Sequence, residues 1–163
     1  MIKISPYQEL YRMQLLKMIA EFRVETARLK NREISFSTEA ATEELQDYLA
    51  NGYQILLALK DDAAAGFLVM RQQDDVWWVD TLFVCEKLRR RGIATALYEA
   101  AEEQTAASTR DNLFVWVHPN NRKMLAFLAS RGYNVLNLIE LRKPWAGERF
   151  SRQYQFEEQF LDY

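Results

Sequence analysis

The chain has 163 residues, 49% of them apolar and 27% charged, which excludes both a disordered chain and a multidomain protein on ordinary usage. A net charge of −2, from 21 basic and 23 acidic side chains, excludes a general polyanion binder, whose surface carries a surplus of Lys and Arg. The single cysteine, Cys85, allows no internal disulfide, and no apolar run is long enough to span a bilayer, so a soluble, cytoplasmic, single-domain protein is expected, with no nucleic-acid or membrane partner.

In chain order, Ile2 to Ile4 reads as a short strand closed by Ser5-Pro6. From Tyr7 to about Lys30, apolar residues at Tyr11, Leu15, Met18, Ile19 and Phe22 recur with helical spacing. A second helix is predicted from Thr38, with Ala41, Leu45, Tyr48 and Leu49 as its stripe and Asn51-Gly52 as its stop. Three strand-like runs follow, "YQILLALK", "AGFLVMRQ" and "VWWVDTLFV", separated by Asp61-Asp62 and Asp74-Asp75, which reads as an antiparallel meander. A helix from Gly92 is predicted with Ile93, Ala96, Leu97, Ala100 and Ala101 on one face. Then come a strand "NLFVWVH", a helix from about Asn121 to Ser130, a turn at Arg131-Gly132 and a strand "NVLNLIELRK". The tail from Phe150 to Tyr163 reads either as a last strand plus a short helix or as an arm packing on a partner chain. The strand-to-helix crossovers behind a meander predict an α/β (α+β) domain with a mixed, mostly antiparallel sheet and helices on both faces, in the order β-α-α-β-β-β-α-β-α-β. The domain is expected to cover 1–163, with 146–163 a candidate C-terminal arm and a homodimer one use for it.

The stretch "LRRRGIATALYEA" places three arginines and a glycine at the start of a helix. A helix N-terminus offers unpaired N–H groups and the positive end of the dipole to an anion. Gly92 lets a bulky phosphate approach the main chain, Ala94 keeps the next point small, and Arg89, Arg90 and Arg91 add charge. A dinucleotide fingerprint needs more glycines and a Walker loop needs Gly-Lys-Ser/Thr, so neither is present. A solvated basic edge remains the competing reading on spacing alone.

These residues carry a resemblance to the GNAT superfamily of N-acetyltransferases. Arg89, Gly92 and Ala94 match its acetyl-CoA signature R/Q-x-x-G-x-G/A, and "LFVCEKL" resembles the strand end before it, with Glu86 where proline is frequent. Downstream, "VHPNNRKMLAFLASRGY" resembles the second family motif through Asn121, Gly132 and Tyr133. The resemblance implies acetyl-CoA as co-substrate, no metal, and a small-molecule or peptide amine as acceptor. It implies that the amides of Arg89, Arg90, Arg91, Gly92, Ile93 and Ala94, with Thr95 beside them, hold the pyrophosphate. Leu82, Phe83 and Val84 would pair with the pantetheine arm, the Val84 amide would stabilise the oxyanion, and Asn121 would cap the next helix and contact the arm. The acceptor pocket is expected over about residues 22 to 40, where the signs of Arg23, Glu25, Arg28, Lys30, Arg32 and Glu33 are mixed.

Asp80 interrupts "VWWVDTLFV" four residues before Val84 and is the candidate general base; an Asp paired with a neighbouring cation is the alternative. Alternation along the strand puts it on one face with Trp78, Leu82 and Val84. Leu128 occupies the position where the family commonly has a tyrosine acid, so the thiolate leaves unprotonated, another group protonates it, or the protein is a catalytically weak acyl-CoA-binding module. Cys85 as a nucleophile lacks a nearby His, and His118 as a lone His builds no metal site. Trp77, Trp78 and Trp116 are core aromatics by default, with one of them a candidate for the acceptor pocket.

Overall fold

A computed structural model describes residues 1–108, 112–150 and 152–163. The chain divides into two compact units, Met1–Val24 with Ser35–Trp116, and Glu25–Ile34 with Val117–Tyr163.

The first unit holds a five-stranded sheet in the order β1-β2-β3-β4-β5, made of β1 (Ile2–Pro6), β2 (Gln54–Lys60), β3 (Ala63–Gln73), β4 (Val76–Val84) and β5 (Leu113–Val115). Neighbours from β1 to β4 are antiparallel, and β5 joins β4 in parallel after the crossover through α3 (Ile93–Ser108). Both meander turns have two residues, and Asp61, Asp62, Asp74 and Asp75 all take positive φ, between 51° and 63°. That left-handed geometry matches the twist of the flanking strands, and Asp tolerates it through its short polar side chain.

The predicted helices form as α1 (Arg12–Leu29), entered through one 3-10 turn at Glu9–Tyr11, and α2 (Thr38–Ala50). The Ser37 side chain accepts from the Ala40 N–H at 3.1 Å and caps α2, a contact of about 1 kcal/mol in such positions. Leu15, Met18 and Ile19 of α1 and Ala41, Leu45 and Tyr48 of α2 are buried with Ile55, Leu57, Phe67, Val69 and Phe83 of the sheet. Leu49, expected in the α2 stripe, is instead exposed, because a 13-residue helix buries only the face turned to the sheet. On the other face α3 packs along all five strands and buries Ile93, Leu97, Tyr98 and Ala101.

One irregularity in β4 sets which side chains surround the candidate site. Thr81 pairs with Val69 and Val79 with Met70, so Asp80 has no opposite residue and forms a β-bulge. A strand without a bulge would send residues 77, 79, 81 and 83 to one face. Here the Trp77 Nε1 donates to Ser108 Oγ of α3 at 2.8 Å, whereas the Thr81 hydroxyl meets Tyr48 of α2 at 3.1 Å. The bulge has moved the second half of the strand to the opposite face.

The second unit holds the end of α1, then α4 (Arg122–Ser130), capped by the Asn121 side chain accepting from the Met124 N–H at 3.1 Å. The Asn120 Nδ2 donates to the Leu29 carbonyl at 2.8 Å and closes the C-terminal end of α1. The strand expected at residues 134–143 does not form. Val135, Leu136, Leu138 and Leu141 are exposed, and with no neighbouring ladder an extended run leaves its N–H and C=O groups to solvent. The tail forms an antiparallel hairpin, β6 (Gln153–Phe156) and β7 (Gln159–Asp162), in a sheet of its own rather than a strand plus a helix. Among the described residues no helix is long and apolar enough to cross a membrane.

Candidate active site

The site grows from the free edge of β4. β5 accompanies β4 only through the pairs Trp77–Leu113, Trp78–Phe114 and Val79–Val115. Among the described residues, β4 has no sheet partner on this side from Asp80 to Val84. On the β3 side the Cys85 N–H donates to the Ala65 carbonyl at 3.0 Å. Alternate N–H groups of a strand point to opposite sides, so Leu82 and Val84 direct theirs to the open edge. The Val84 carbonyl faces the same way and accepts from Arg89 Nε at 2.8 Å, leaving the Val84 N–H as the donor beside it.

β4 then runs through one 3-10 turn (Glu86–Leu88) into the arginine turn and α3. The first hydrogen bond of α3 runs from the Ala96 N–H to the Gly92 carbonyl at 2.9 Å, which makes Gly92 the N-cap. The N–H groups of Gly92, Ile93, Ala94 and Thr95 precede the helical ladder, and a glycine has no side chain to cap them. Gly92 takes φ +80°, and a Cβ there would meet nothing within 4 Å, so the space beside Gly92 is open. Arg90 also takes a left-handed φ, +63°, an uncommon conformation for a non-glycine residue and one found at ligand clamps. Arg90 and Arg91 are exposed, while the Arg89 guanidinium lies 5.4 Å from the Phe83 ring centroid. An open strand edge that leads to an uncapped, arginine-flanked helix start fits an extended chain ending in a pyrophosphate.

The bulge sets a second group of side chains beside that edge. Asp80 does not share a face with Leu82: Leu82 pairs with Leu68, whereas Asp80 turns towards Arg71 and Thr81. Its Oδ1 stands 3.4 Å from Arg71 Nε, its Oδ2 accepts from the Thr81 hydroxyl at 3.3 Å, and its side chain keeps 31% exposure. Arg71 also donates to Gln73 and lies 4.7 Å from the Trp116 ring centroid and 5.6 Å from that of Trp78. Trp78 packs on Phe114 and Trp116 at 5.2 and 4.9 Å between centroids. Trp77 is a core residue against α3, and Trp116 is the exposed member of the aromatic group next to Asp80.

Behind Thr81 stands a polar row that the sequence did not suggest. The Tyr48 hydroxyl donates to Glu44 Oε1 at 2.5 Å, and Glu44 Oε2 accepts from Arg23 at 2.5 Å. Burial first, and then the Glu44 charge, push the Tyr48 phenol far above its ordinary value, so it keeps its proton. Tyr48 reads in the sequence as one more apolar-stripe residue. The Glu44–Tyr48 spacing of four on one helix was the available signal.

The remaining candidates separate by environment. Cys85 is half-buried against the core under α1, and burial, then the charge of Glu21, push its thiol up, which keeps it protonated and opposes a nucleophilic role. In the second unit, His118 lies beyond the end of β5, with Nδ1 accepting from the Asn120 N–H at 3.1 Å. Burial, then Lys30, push its imidazole below the ordinary value. Leu128 is buried and Tyr133 is half-buried. No group of three or more potential metal ligands occurs among the described residues.

Solved structures share this fold. An aminoglycoside acetyltransferase from an uncultured soil metagenomic sample superposes with a TM-score of 0.64 at 20% identity, over 88% of this chain and 96% of that one. The ribosomal-protein-S18-alanine N-acetyltransferase of Escherichia coli gives 0.60 at 17%, over 81% of this chain and 77% of that one. An N-acetyltransferase of Thermoplasma acidophilum in complex with coenzyme A gives 0.65 at 17%, over 80% and 88%. No curated protein matches the chain by sequence. A model of the acetyltransferase (GNAT) family matches residues 17–133, a span that takes in β4, the arginine turn, α3 and the Asn121 cap. The chain belongs to the GNAT acetyltransferase family.

Proposed function

We propose that the protein is an acetyl-CoA-dependent N-acetyltransferase that passes an acetyl group to a primary amine of a small molecule or peptide, by direct attack in a ternary complex. The observation that carries this reading is the open edge of β4, with the Val84 N–H turned towards it, leading straight to the uncapped start of α3. The pyrophosphate of coenzyme A suits the amides of Gly92 to Thr95 and the charge of Arg90 and Arg91, and the amides of Leu82 and Val84 suit its extended arm. Co-crystallisation of a coenzyme A complex with the T. acidophilum relative is consistent with that assignment.

In this reading the Val84 amide donates to the thioester oxygen as negative charge develops there, a contribution of about 3 kcal/mol for one preorganised donor. Asp80 accepts the proton that the attacking nitrogen sheds. Four residues of strand put it about 13 Å from Val84 along the backbone, at about 3.3 Å per residue, so the proton crosses through water. Leu128 has no proton to give, and the coenzyme A thiolate leaves as the anion. Trp116 and Trp78 offer an aromatic wall to the acceptor, and the balanced charges of Arg71 and Asp80 favour neither a polyamine nor a polyacid. The two other relatives are named for acetylating aminoglycosides and an alanine of a ribosomal protein, acceptors that each carry an amine. The exposed apolar residues of 135–141 and the terminal hairpin suit self-association, which light scattering would reveal.

A buried leucine at position 128 favours a second reading, a weakly catalytic acyl-CoA-binding module. Thiol release from acetyl-CoA in the presence of a panel of amines and peptides separates the two. Turnover on any amine supports transfer; thermal stabilisation by coenzyme A without turnover supports the module.

A further inference from the structure

We propose that Thr81, Tyr48 and Glu44 form a proton relay that carries the proton collected by Asp80 through the sheet face to the outside of α2. The proposal rests on the acetyl-transfer reading above. Four oxygens stand in a row: Asp80 Oδ2, Thr81 Oγ1, Tyr48 Oη and Glu44 Oε1, with contacts of 3.3, 3.1 and 2.5 Å. Thr81 and Tyr48 are buried, which limits the competition of solvent for their hydroxyls. The row ends at Glu44, whose side chain keeps 18% exposure.

Counting protons shows why this is more than a structural tie. Three contacts need three protons, and two hydroxyls between two carboxylates supply only two. The Tyr48 proton is held in the shortest contact, towards Glu44. The single Thr81 proton therefore serves either Tyr48 or Asp80, and one oxygen pair always lacks a hydrogen. One further proton arriving at Asp80 completes the row. The amine N–H breaks as its nitrogen bonds to the acetyl carbon, and the proton passes through water to Asp80 Oδ2. Asp80 then donates to Thr81 Oγ1, the Thr81 proton moves to Tyr48 Oη, and the Tyr48 proton moves to Glu44 Oε1. Glu44 releases it to solvent, and rotation of the two hydroxyls resets the row. The charged groups around it come from every adjoining element: Arg23 on α1 holds Glu44 at 2.5 Å, and Arg71 on β3 faces Asp80 at 3.4 Å.

Two measurements test the relay. With an amine that the wild type acetylates, Thr81→Val and Tyr48→Phe are expected to lower kcat about tenfold with the KM for acetyl-CoA unchanged, and Thr81→Ser to restore it. Unchanged kcat in both variants overturns the relay. The second measurement needs no turnover: carboxyl 13C NMR titrations of Asp80 and Glu44, assigned through Asp80→Asn and Glu44→Gln. In the wild type both signals are expected to follow shared steps, as coupled sites do, and to separate in Thr81→Val. Independent titration in the wild type overturns the relay. A wild type that releases no thiol with any amine removes the transfer reading instead, and the NMR titrations then decide the relay alone.

Discussion

Arg89 Nε donates to the Val84 carbonyl at 2.8 Å, while its guanidinium lies beside the Phe83 ring. The first arginine of the run thus ties the turn to the strand edge, and the exposed charge at the start of α3 is that of Arg90 and Arg91. Truncating Arg89 to Ala frees the Val84 carbonyl and loosens the donor next to it. Losing one hydrogen bond from a charged group costs about 2 kcal/mol, so calorimetry is expected to show coenzyme A affinity reduced roughly tenfold to thirtyfold. Because this contact is intramolecular, the loss should persist at high salt, whereas the effect of Arg91→Ala should shrink as salt rises.

Gly92 separates two costs. Gly92→Ala meets no atom within 4 Å, so its penalty is the left-handed backbone, about 1 to 2 kcal/mol of stability. Gly92→Asp adds a negative charge in front of the free amides and should abolish coenzyme A binding. Thermal shifts with and without coenzyme A read both terms; an Asp variant that still binds normally would remove the phosphate assignment.

Asp80→Asn keeps the size of the side chain and tests the proposed base. Turnover at neutral pH is expected to fall about a hundredfold, in line with the usual contribution of one general base, with coenzyme A affinity retained. Steady-state kinetics across pH read the change. An unaltered pH profile assigns Asp80 to the ion pair with Arg71 alone.

Cys85 should behave as a slow thiol. Its raised value means that the thiolate becomes abundant only as pH climbs above the ordinary thiol range. Alkylation by iodoacetamide at pH 7 is expected to lag behind a free cysteine and to accelerate at higher pH. Cys85→Ala should keep turnover within about twofold; a loss of about a hundredfold would reinstate the covalent route.

His118 sets a pH dependence of stability with a definite sign. Its folded value lies below the unfolded one, so the unfolded chain takes up the proton first as pH falls. Stability is therefore full above the ordinary histidine value and declines as pH drops through it towards the folded value. Solvent reaches the half-buried ring, so the effect is modest. Urea unfolding at pH 7.5 and 5.5 should show a smaller acid loss in His118→Gln than in the wild type.

Local chemistry made much of this legible. The Asp-Asp turns, the Ser37 and Asn121 caps and the Gly92 start of α3 depend on residues within a few positions of one another. The strand expected at 134–143 shows the opposite case. Its β-branched and apolar residues favour extension, but a strand exists only where a ladder receives it, and none does here. Asp80 stood out as an acid in an apolar run, yet its face depended on a bulge, which comes from registering β4 against β3 and leaves no mark in composition. The same register brought Thr81 to Tyr48, 33 residues away in the chain, and turned a stripe residue into part of a polar row.

By itself the sequence determined where α2, α3 and α4 start, where the meander turns, and that an uncapped, arginine-flanked glycine opens α3, because each of these is a short-range balance of backbone sterics and hydrogen bonding. Only the tertiary structure decided which edge of β4 stays open, which way Asp80 points and what stands behind it, because strand pairing and face are set by contacts between residues far apart in the chain.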